Sequence, residues 1–208
     1  NPDFAPHGSC RVCLVKVNGR VQAACTTPAA AGLTVQSEIE ELRELRRGIL
    51  QMLFVEGNHV CPACEKSGAC QLQAVAYYVG MLAPHYTHFY PRRPVDASHP
   101  EAVIDFNRCI LCELCVRASR DVDGKNIFAV QGRGIQARLV VNTPSGQLGA
   151  TSFSIDDKAA QVCPTGTILI KHRGYETPIG QRLYDRKPIS MVGDVAQVPE
   201  SQGGRRHD

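Results

Sequence analysis

Ten of the chain's 208 residues are cysteines, and they stand in three groups separated by long cysteine-free stretches. The groups are Cys10, Cys13 and Cys25; then Cys61, Cys64 and Cys70; then Cys109, Cys112 and Cys115 with the distant Cys163. Grouped thiols constrain a fold more than hydrophobic patterning does, because each group must be brought around one shared bound species. No charged-then-apolar leader opens the chain, so thiolate ligands in a reducing, cytoplasmic setting are expected in place of a disulfide scaffold. The chain starts at Asn1 without a methionine, which leads us to expect a further segment upstream.

Composition removes two classes of function. The net charge of +3 is spread along the chain with no basic cluster, which speaks against a nucleic-acid groove. The apolar run from Ile49 to Val55 is broken by Gln51 and falls far short of the ~20 residues a membrane span needs, so no membrane insertion is expected.

Three cysteine groups suggest three small modules. In the first, Val12 to Val17 and Arg20 to Ala24 are β-rich runs joined at Asn18-Gly19, a dipeptide suited to a two-residue hairpin turn. Ser37 with Glu40 forms a capping-box signature ahead of Ile39, Leu42, Leu45, Ile49, Leu50, Leu53 and Phe54, spaced for one helical face and ending near Gly57-Asn58. A second helix follows Cys70 through Leu72, Val75, Ala76 and Val79 to Gly80. Pro84 to Pro100 lacks periodicity and reads as a long surface connection. Strands are then expected at Ala102–Phe106, Ile127–Val130, Ile135–Val141 and Thr167–Lys171, with helices at Glu113–Arg120 and Asp156–Val162. That order, strand, helix, two strands, helix, strand, is ferredoxin-like. The fold class expected is α+β, and residues beyond Tyr175 should trail as an extended segment, disordered from Pro199 to Asp208.

Cys109-x2-Cys112-x2-Cys115 with a remote Cys163-Pro164 is the strongest chemical signal. A tight triplet can wrap three corners of an iron–sulfur cube while the distant Cys-Pro closes the fourth, which is specific for a 4Fe-4S cluster. A four-cysteine zinc site is the competing reading, although zinc modules usually pair two C-x2-C knuckles. Cys10, Cys13 and Cys25 leave an iron pair one ligand short and suit a 2Fe-2S centre, zinc or buried thiols. Cys61, Cys64 and Cys70 again supply three thiolates, with His59 two residues ahead; a neutral imidazole can be the fourth iron ligand, or a packing residue. His7, His85, His88, His99, His172 and His207 have no such neighbourhood and are read as surface or packing residues. Gly132-x-Gly134-x-x-Ala137 mimics a dinucleotide fingerprint, yet it leads into strand-like RLVVN and is read as a hairpin turn. No nucleophile–base pair or phosphate loop is visible, so no substrate site of its own is expected.

These motifs together resemble the iron–sulfur electron-relay family shared by the amino-terminal region of the complex I large iron–sulfur subunit, iron-only hydrogenases, NAD-dependent formate dehydrogenases and NAD-reducing nickel-iron hydrogenases. GSCRVCLVKVNG through Cys25 is similar to that family's 2Fe-2S β-grasp site. EGNHVCPACEKSGACQLQ resembles its 4Fe-4S site with one histidine and three cysteine ligands, and RCILCELCVRAS with VCPTGTIL its all-cysteine 4Fe-4S site. The resemblance implies one 2Fe-2S cluster, incomplete within these residues, held by Cys10, Cys13 and Cys25 with a fourth ligand before Asn1. It also implies two 4Fe-4S clusters, one on His59, Cys61, Cys64 and Cys70, the other on Cys109, Cys112, Cys115 and Cys163. Many relatives place the histidine further ahead of its first cysteine; here only Val60 intervenes. The implied modules are residues 1–36 (partial β-grasp), 37–100 (helical, histidine-ligated, with its connection), 101–175 (bacterial-ferredoxin-like) and 176–208 (extended tail).

The short length and GYETPIGQRLYDRKP are most similar to the small diaphorase subunits of the NAD-reducing nickel-iron hydrogenases. That branch implies a non-catalytic electron-transfer subunit of a hydrogen:NAD+ oxidoreductase. Its partners would be a flavin/NAD-binding diaphorase subunit and the nickel-iron hydrogenase small and large subunits. The same relay in a NAD-dependent formate dehydrogenase or complex I-like enzyme is the near alternative. A zinc-stapled structural or interaction module is the distant one.

Overall fold

The computed structural model describes Asn1 and residues 3–193. β1 (Leu14–Val17) and β2 (Arg20–Ala23) form the expected antiparallel hairpin, with Val17 opposite Arg20. Asn18 and Gly19 both take positive φ (46° and 80°), the geometry that matches the right-handed twist of the flanking strands. β3 (Val35–Gln36) adds to the other edge of β1, giving the order β2-β1-β3.

The helix α1 (Glu40–Val55) packs against this sheet without the expected cap and with one position of the expected apolar face, Leu45, turned out. Its N-cap is Ile39 and no side chain caps it; the Ser37 hydroxyl donates to Glu38 instead, and Glu40 pairs with Arg47. The helix stops at Val55, short of Gly57. Leu42, Leu50 and Val55 are buried, whereas Leu45 is 43% exposed. Arg46 occupies the inward position, its Nη2 donating to the carbonyls of Leu14 (2.7 Å) and Ser37 (2.9 Å). The sheet ends in unpaired carbonyls, and a buried guanidinium satisfies them where a leucine could not.

α2 (Gln71–Tyr78) buries Leu72 and Ala76 against Leu50, with Val79 and Met81 completing the cluster. Gly80 turns the chain out at φ 75°. The next segment is not wholly a surface connection: β4 (Val95–Asp96) lies within it, and His99 is buried, its Nε2 3.1 Å from the Phe153 carbonyl. A two-residue edge strand carries too little periodicity to be seen in sequence.

β5 (Ala102–Asp105), α3 (Leu114–Arg117), β6 (Phe128–Gln131), β7 (Arg138–Val141), α4 (Lys158–Gln161) and β8 (Ile168–Ile170) follow in the expected order. α3 runs on into a wide turn, Ala118–Val122. The strands divide between two sheets: β4-β5-β8, antiparallel, and the separate β6-β7 hairpin. Val130 and Leu139 of the hairpin and Ile168 of β8 face the same hollow, which separates the two sheets. β7 begins at Arg138; Gly134–Gln136 is a 3₁₀ turn and Ile135 is 83% exposed, so the glycine motif here is the hairpin loop. The core behind the sheets is built on Ile104, Phe106, Ala118, Phe128, Leu148 and Ala159.

The segment expected to trail beyond Tyr175 does not do so over 176–193. Tyr184 N–H donates to the Gly68 carbonyl (2.9 Å), Arg182 pairs with Asp185, and α5 (Ile189–Val192) packs on α2. Turns held by a local ion pair and by backbone contact to a distant module leave no periodic signature. The stretch Pro199 to Asp208, with His207, lies outside the described residues. Among the described residues no helix is long and apolar enough to cross a membrane.

Candidate metal centres

The third cysteine group forms where β5 gives way to a 3₁₀ turn, Phe106–Arg108. The Asp105 carboxylate accepts from the Asn107 N–H (3.0 Å) and starts that turn. Leu111 and Glu113 then adopt left-handed φ values of 52° and 60°. Side chains rarely take this region, and two such residues between Cys109 and Cys115 wind the backbone so that Cys109, Cys112 and Cys115 all line one hollow. Cys163, just past α4, lines the opposite wall of the same hollow of about 360 Å³. Leu111 N–H approaches Cys109 Sγ at 3.4 Å, a donor aimed at sulfur.

Burial pushes the Cys109 thiol up to about 11 and that of Cys112 to about 12, and it raises Cys115 well above its ordinary value; the charge of Cys163 adds to each. Four thiolates therefore cannot share this apolar space unless something cationic sits among them. A bound metal core deprotonates such thiols outright, so the donor set and the hollow fit an iron–sulfur cluster.

The second group is assembled by the end of α1, a short loop and the start of α2. Asn58 N–H donates to the Asn107 carbonyl (2.8 Å) and its side chain to the Pro91 carbonyl (2.7 Å), which ties the loop to the third module. A Cβ on Gly57 would lie 2.6 Å from His59 Nε2 and 2.8 Å from the Asn107 carbonyl, so only glycine lets the imidazole turn in here. His59 Nε2 is sealed from solvent and has no hydrogen-bond partner. Burial, followed by the charges of His88, Arg108 and Arg93, lowers the His59 pKa to about 4, so the ring is neutral with a lone pair to give. His59, Cys61, Cys64 and Cys70 line a hollow of about 340 Å³ together with Phe54, Arg108 and Gly166. Burial lifts Cys70 to about 12. An orphaned buried imidazole facing three thiols fits a cluster with one nitrogen and three sulfur ligands.

The first group is open to solvent. Cys10 and Cys25 are exposed and Cys13 is half-buried at the entry to β1. A hydrogen bond with Cys13 that the Cys25 thiol donates is the main cause that raises the Cys25 thiol, with slight burial and the charges of Cys13 and Cys10 following, which puts the three thiols in one neighbourhood. The second and third groups of sequence-predicted ligands each line one hollow and Cys25 lies beside Cys13, although among the described residues no three His, Cys, Asp or Glu side chains stand close enough to hold a single metal ion. What sequence reasoning did not single out is the scaffold between them: Asn107, Arg93, Arg108 and Gly166. Asn107 Oδ1 accepts from the Arg93 N–H (3.0 Å) and Asn58 Nδ2 (3.1 Å), contacts between residues far apart in the chain.

Three family descriptions match the chain in the same order as these sites. They are a 2Fe-2S iron-sulfur cluster binding domain over residues 2–40, the NADH-ubiquinone oxidoreductase-G iron-sulfur binding region over 46–85, and the ferredoxin-like domain of NADH-quinone oxidoreductase subunit 3 over 100–169. The NAD-reducing hydrogenase HoxS subunit gamma of Cupriavidus necator is 43% identical over 183 residues, spanning 88% of this chain and 77% of that one. The chain belongs to the HoxS gamma-subunit family. A crystal structure of a NAD+-reducing [NiFe]-hydrogenase in the H2-reduced state contains a chain 53% identical to this one, with a TM-score of 0.87 over 90% of this chain and 80% of its own. More distant relatives extend the same likeness. The NADPH-Fe(3+) oxidoreductase subunit alpha of Geobacter sulfurreducens is 35% identical over 169 residues, and NADH-quinone oxidoreductase subunit 3 of Thermus thermophilus 28% over 206. This chain spans only 20% and 25% of those two proteins, so the likeness covers a small part of much longer chains.

Proposed function

We propose that this chain is the iron–sulfur relay of a NAD-reducing nickel-iron hydrogenase, passing electrons from hydrogenase small and large subunits to a flavin/NAD-binding diaphorase subunit in the cytoplasm. The observation that carries the reading is the pair of hollows, each lined by one four-donor set, that meet at a common wall. Thr165 and Arg108 form that wall through a 3.0 Å hydrogen bond from Thr165 Oγ1 to the Arg108 carbonyl; Thr165 faces the all-cysteine hollow and Arg108 the histidine one.

His59, Cys61, Cys64 and Cys70 would hold one 4Fe-4S cluster and Cys109, Cys112, Cys115 and Cys163 another. Cys10, Cys13 and Cys25 would supply three ligands of a 2Fe-2S centre completed by a fourth ligand. Bound clusters supply reversible one-electron chemistry at metal–sulfur centres. The chain's own residues fix the ligands, exclude water with Phe54, Val130, Leu139 and Ile168, and aim donors such as the Leu111 N–H at sulfur.

The test is iron and sulfide analysis of the purified complex, followed by hydrogen-dependent NADH formation. Cys112→Ser should remove one cluster's iron and cut that activity, while each partner keeps its own half-reaction with artificial dyes. A colourless protein containing zinc, or an unchanged iron count in Cys112→Ser, would sink the reading. A formate-oxidising partner in the purified complex would keep the relay and replace only the hydrogenase.

A further inference from the structure

The wall between the hollows contains one charged group that neither ligand set uses. Arg108 immediately precedes Cys109, so its backbone belongs to the all-cysteine loop. Its side chain runs the other way and lines the hollow of His59, Cys61, Cys64 and Cys70. Three acceptors hold it there: Glu65 Oε2 at 2.7 Å, Asp105 Oδ2 at 2.9 Å and the Gly166 carbonyl at 3.4 Å. The side chain is only 18% exposed. Gly166 seats it against the ligand set, because a Cβ there would stand 2.8 Å from Cys64 Sγ and 3.2 Å from Arg108 Nη1. The neighbouring guanidinium of Arg93 is turned instead to the carbonyls of Phe106, Cys109 and Glu56.

We propose that Arg108 is a positioning residue for electron transfer: a fixed cation, trimmed by Glu65 and Asp105, that favours the reduced state at the His59 site over the all-cysteine site. The proposal rests on the ligand assignment above. Reduction brings in one electron from the hydrogen-oxidising partner and re-oxidation hands it to the flavin partner; no bond is made or broken, and the site's charge falls and rises by one. A permanent guanidinium nearby stabilises the more negative state, and the effect is large where water is excluded. Arginine keeps its charge throughout the working pH range, so the bias does not vary with pH. Its reach is unequal, because the charged end lines one hollow, while on the side of the other Arg108 offers only a backbone carbonyl bonded to the intervening Thr165. The two carboxylates weaken the bias, Glu65 being the more adjustable since it is 38% exposed against 18% for Asp105.

A structural clamp and an electrostatic bias give different signs. Arg108→Gln and Glu65→Gln break the same ion pair. As a clamp, their loss would disturb the site in the same direction. As a bias, Arg108→Gln should lower the midpoint potential of the histidine-ligated cluster and Glu65→Gln should raise it, each with a smaller shift at the all-cysteine cluster. Arg108→Lys should recover most of the wild-type value.

The experiment is a potentiometric titration of the whole complex followed by electron paramagnetic resonance, with iron and sulfide measured on every sample. Wild-type complex lacking two 4Fe-4S signals would defeat the ligand assignment. With both signals present, unchanged midpoints in Arg108→Gln, or shifts of the same sign in Arg108→Gln and Glu65→Gln, would overturn the proposal itself. Should Arg108→Gln fail to assemble its cluster, Glu65→Gln decides: no upward shift there rejects the bias.

Discussion

At the scale of single residues, the site is made by a few side chains placed where ordinary preferences would not put them. His59 is an imidazole sealed in an apolar wall with no partner for Nε2. Replacing it by cysteine should keep the cluster and lower its potential, because a neutral ligand gives way to an anionic one; redox titration reads the shift. Gly166→Ala tests the packing next to it. The added methyl would meet Cys64 Sγ at 2.8 Å, and Thr165 on one side and the Arg108 contact on the other leave little room to yield. The expected result is loss of iron from the histidine-ligated site with the all-cysteine signal retained, read by electron paramagnetic resonance. His59 stood out in the sequence as a candidate beside Cys61, Cys64 and Cys70, and the structure puts its ring in the wall of the hollow that those three line. Arg108 and Gly166 did not stand out, because what they touch is contributed from more than forty residues away in the chain.

At the scale of elements, α1 shows how a polar contact can override a hydrophobic stripe. The period of 3.6 foretold the helix, but the inward place went to Arg46, whose donors close the backbone of β1 and of the turn before the helix. Arg46→Met should cost about 1–3 kcal/mol, the penalty for stranding buried carbonyls, whereas Leu45→Asp should fall within about 0.5 kcal/mol. Hydrogen exchange at β1 checks both: faster in Arg46→Met, unchanged in Leu45→Asp. The hairpin was readable for a stronger reason, because Asn18-Gly19 is one of the few dipeptides that accept positive φ twice in succession. The capping box was not realised: Ser37 donates its hydroxyl to Glu38 while its carbonyl accepts from Arg46, and the helix starts two residues later behind Ile39 with no side-chain cap.

At the scale of the whole molecule, the segment past Tyr175 ties back to the second module through the Tyr184 N–H to the Gly68 carbonyl and the packing of α5 on α2, while the Arg182–Asp185 pair fixes the segment's own turn. The hydrogen bond from Arg182 holds the Asp185 carboxyl down at about 2. A carboxyl depressed in the folded state contributes stability above its ordinary range, and that contribution is lost as pH falls toward 2. Asp185→Asn should remove it at neutral pH, releasing the Gly180 and Arg182 backbone donors as well. Trypsin should then cut between Arg173 and Lys187 faster than in the unaltered chain, with the all-cysteine cluster unaffected; equal cleavage would show that α5 alone holds the segment. The iron–sulfur family of the chain was legible in the sequence because cysteine spacing is a local property: a triplet with two residues between members places three thiols on one short loop, and in the structure those three line one hollow. Strand and helix order followed from hydrophobic periods and turn dipeptides in the same local way. Tertiary structure alone decided that the strands of the third module split into two sheets around a hollow, that β4 forms at an edge, and that Arg108 and Thr165 stand between the two ligand sets. Those outcomes depend on which surfaces meet in space, and a pattern read along one dimension carries no term for such a meeting.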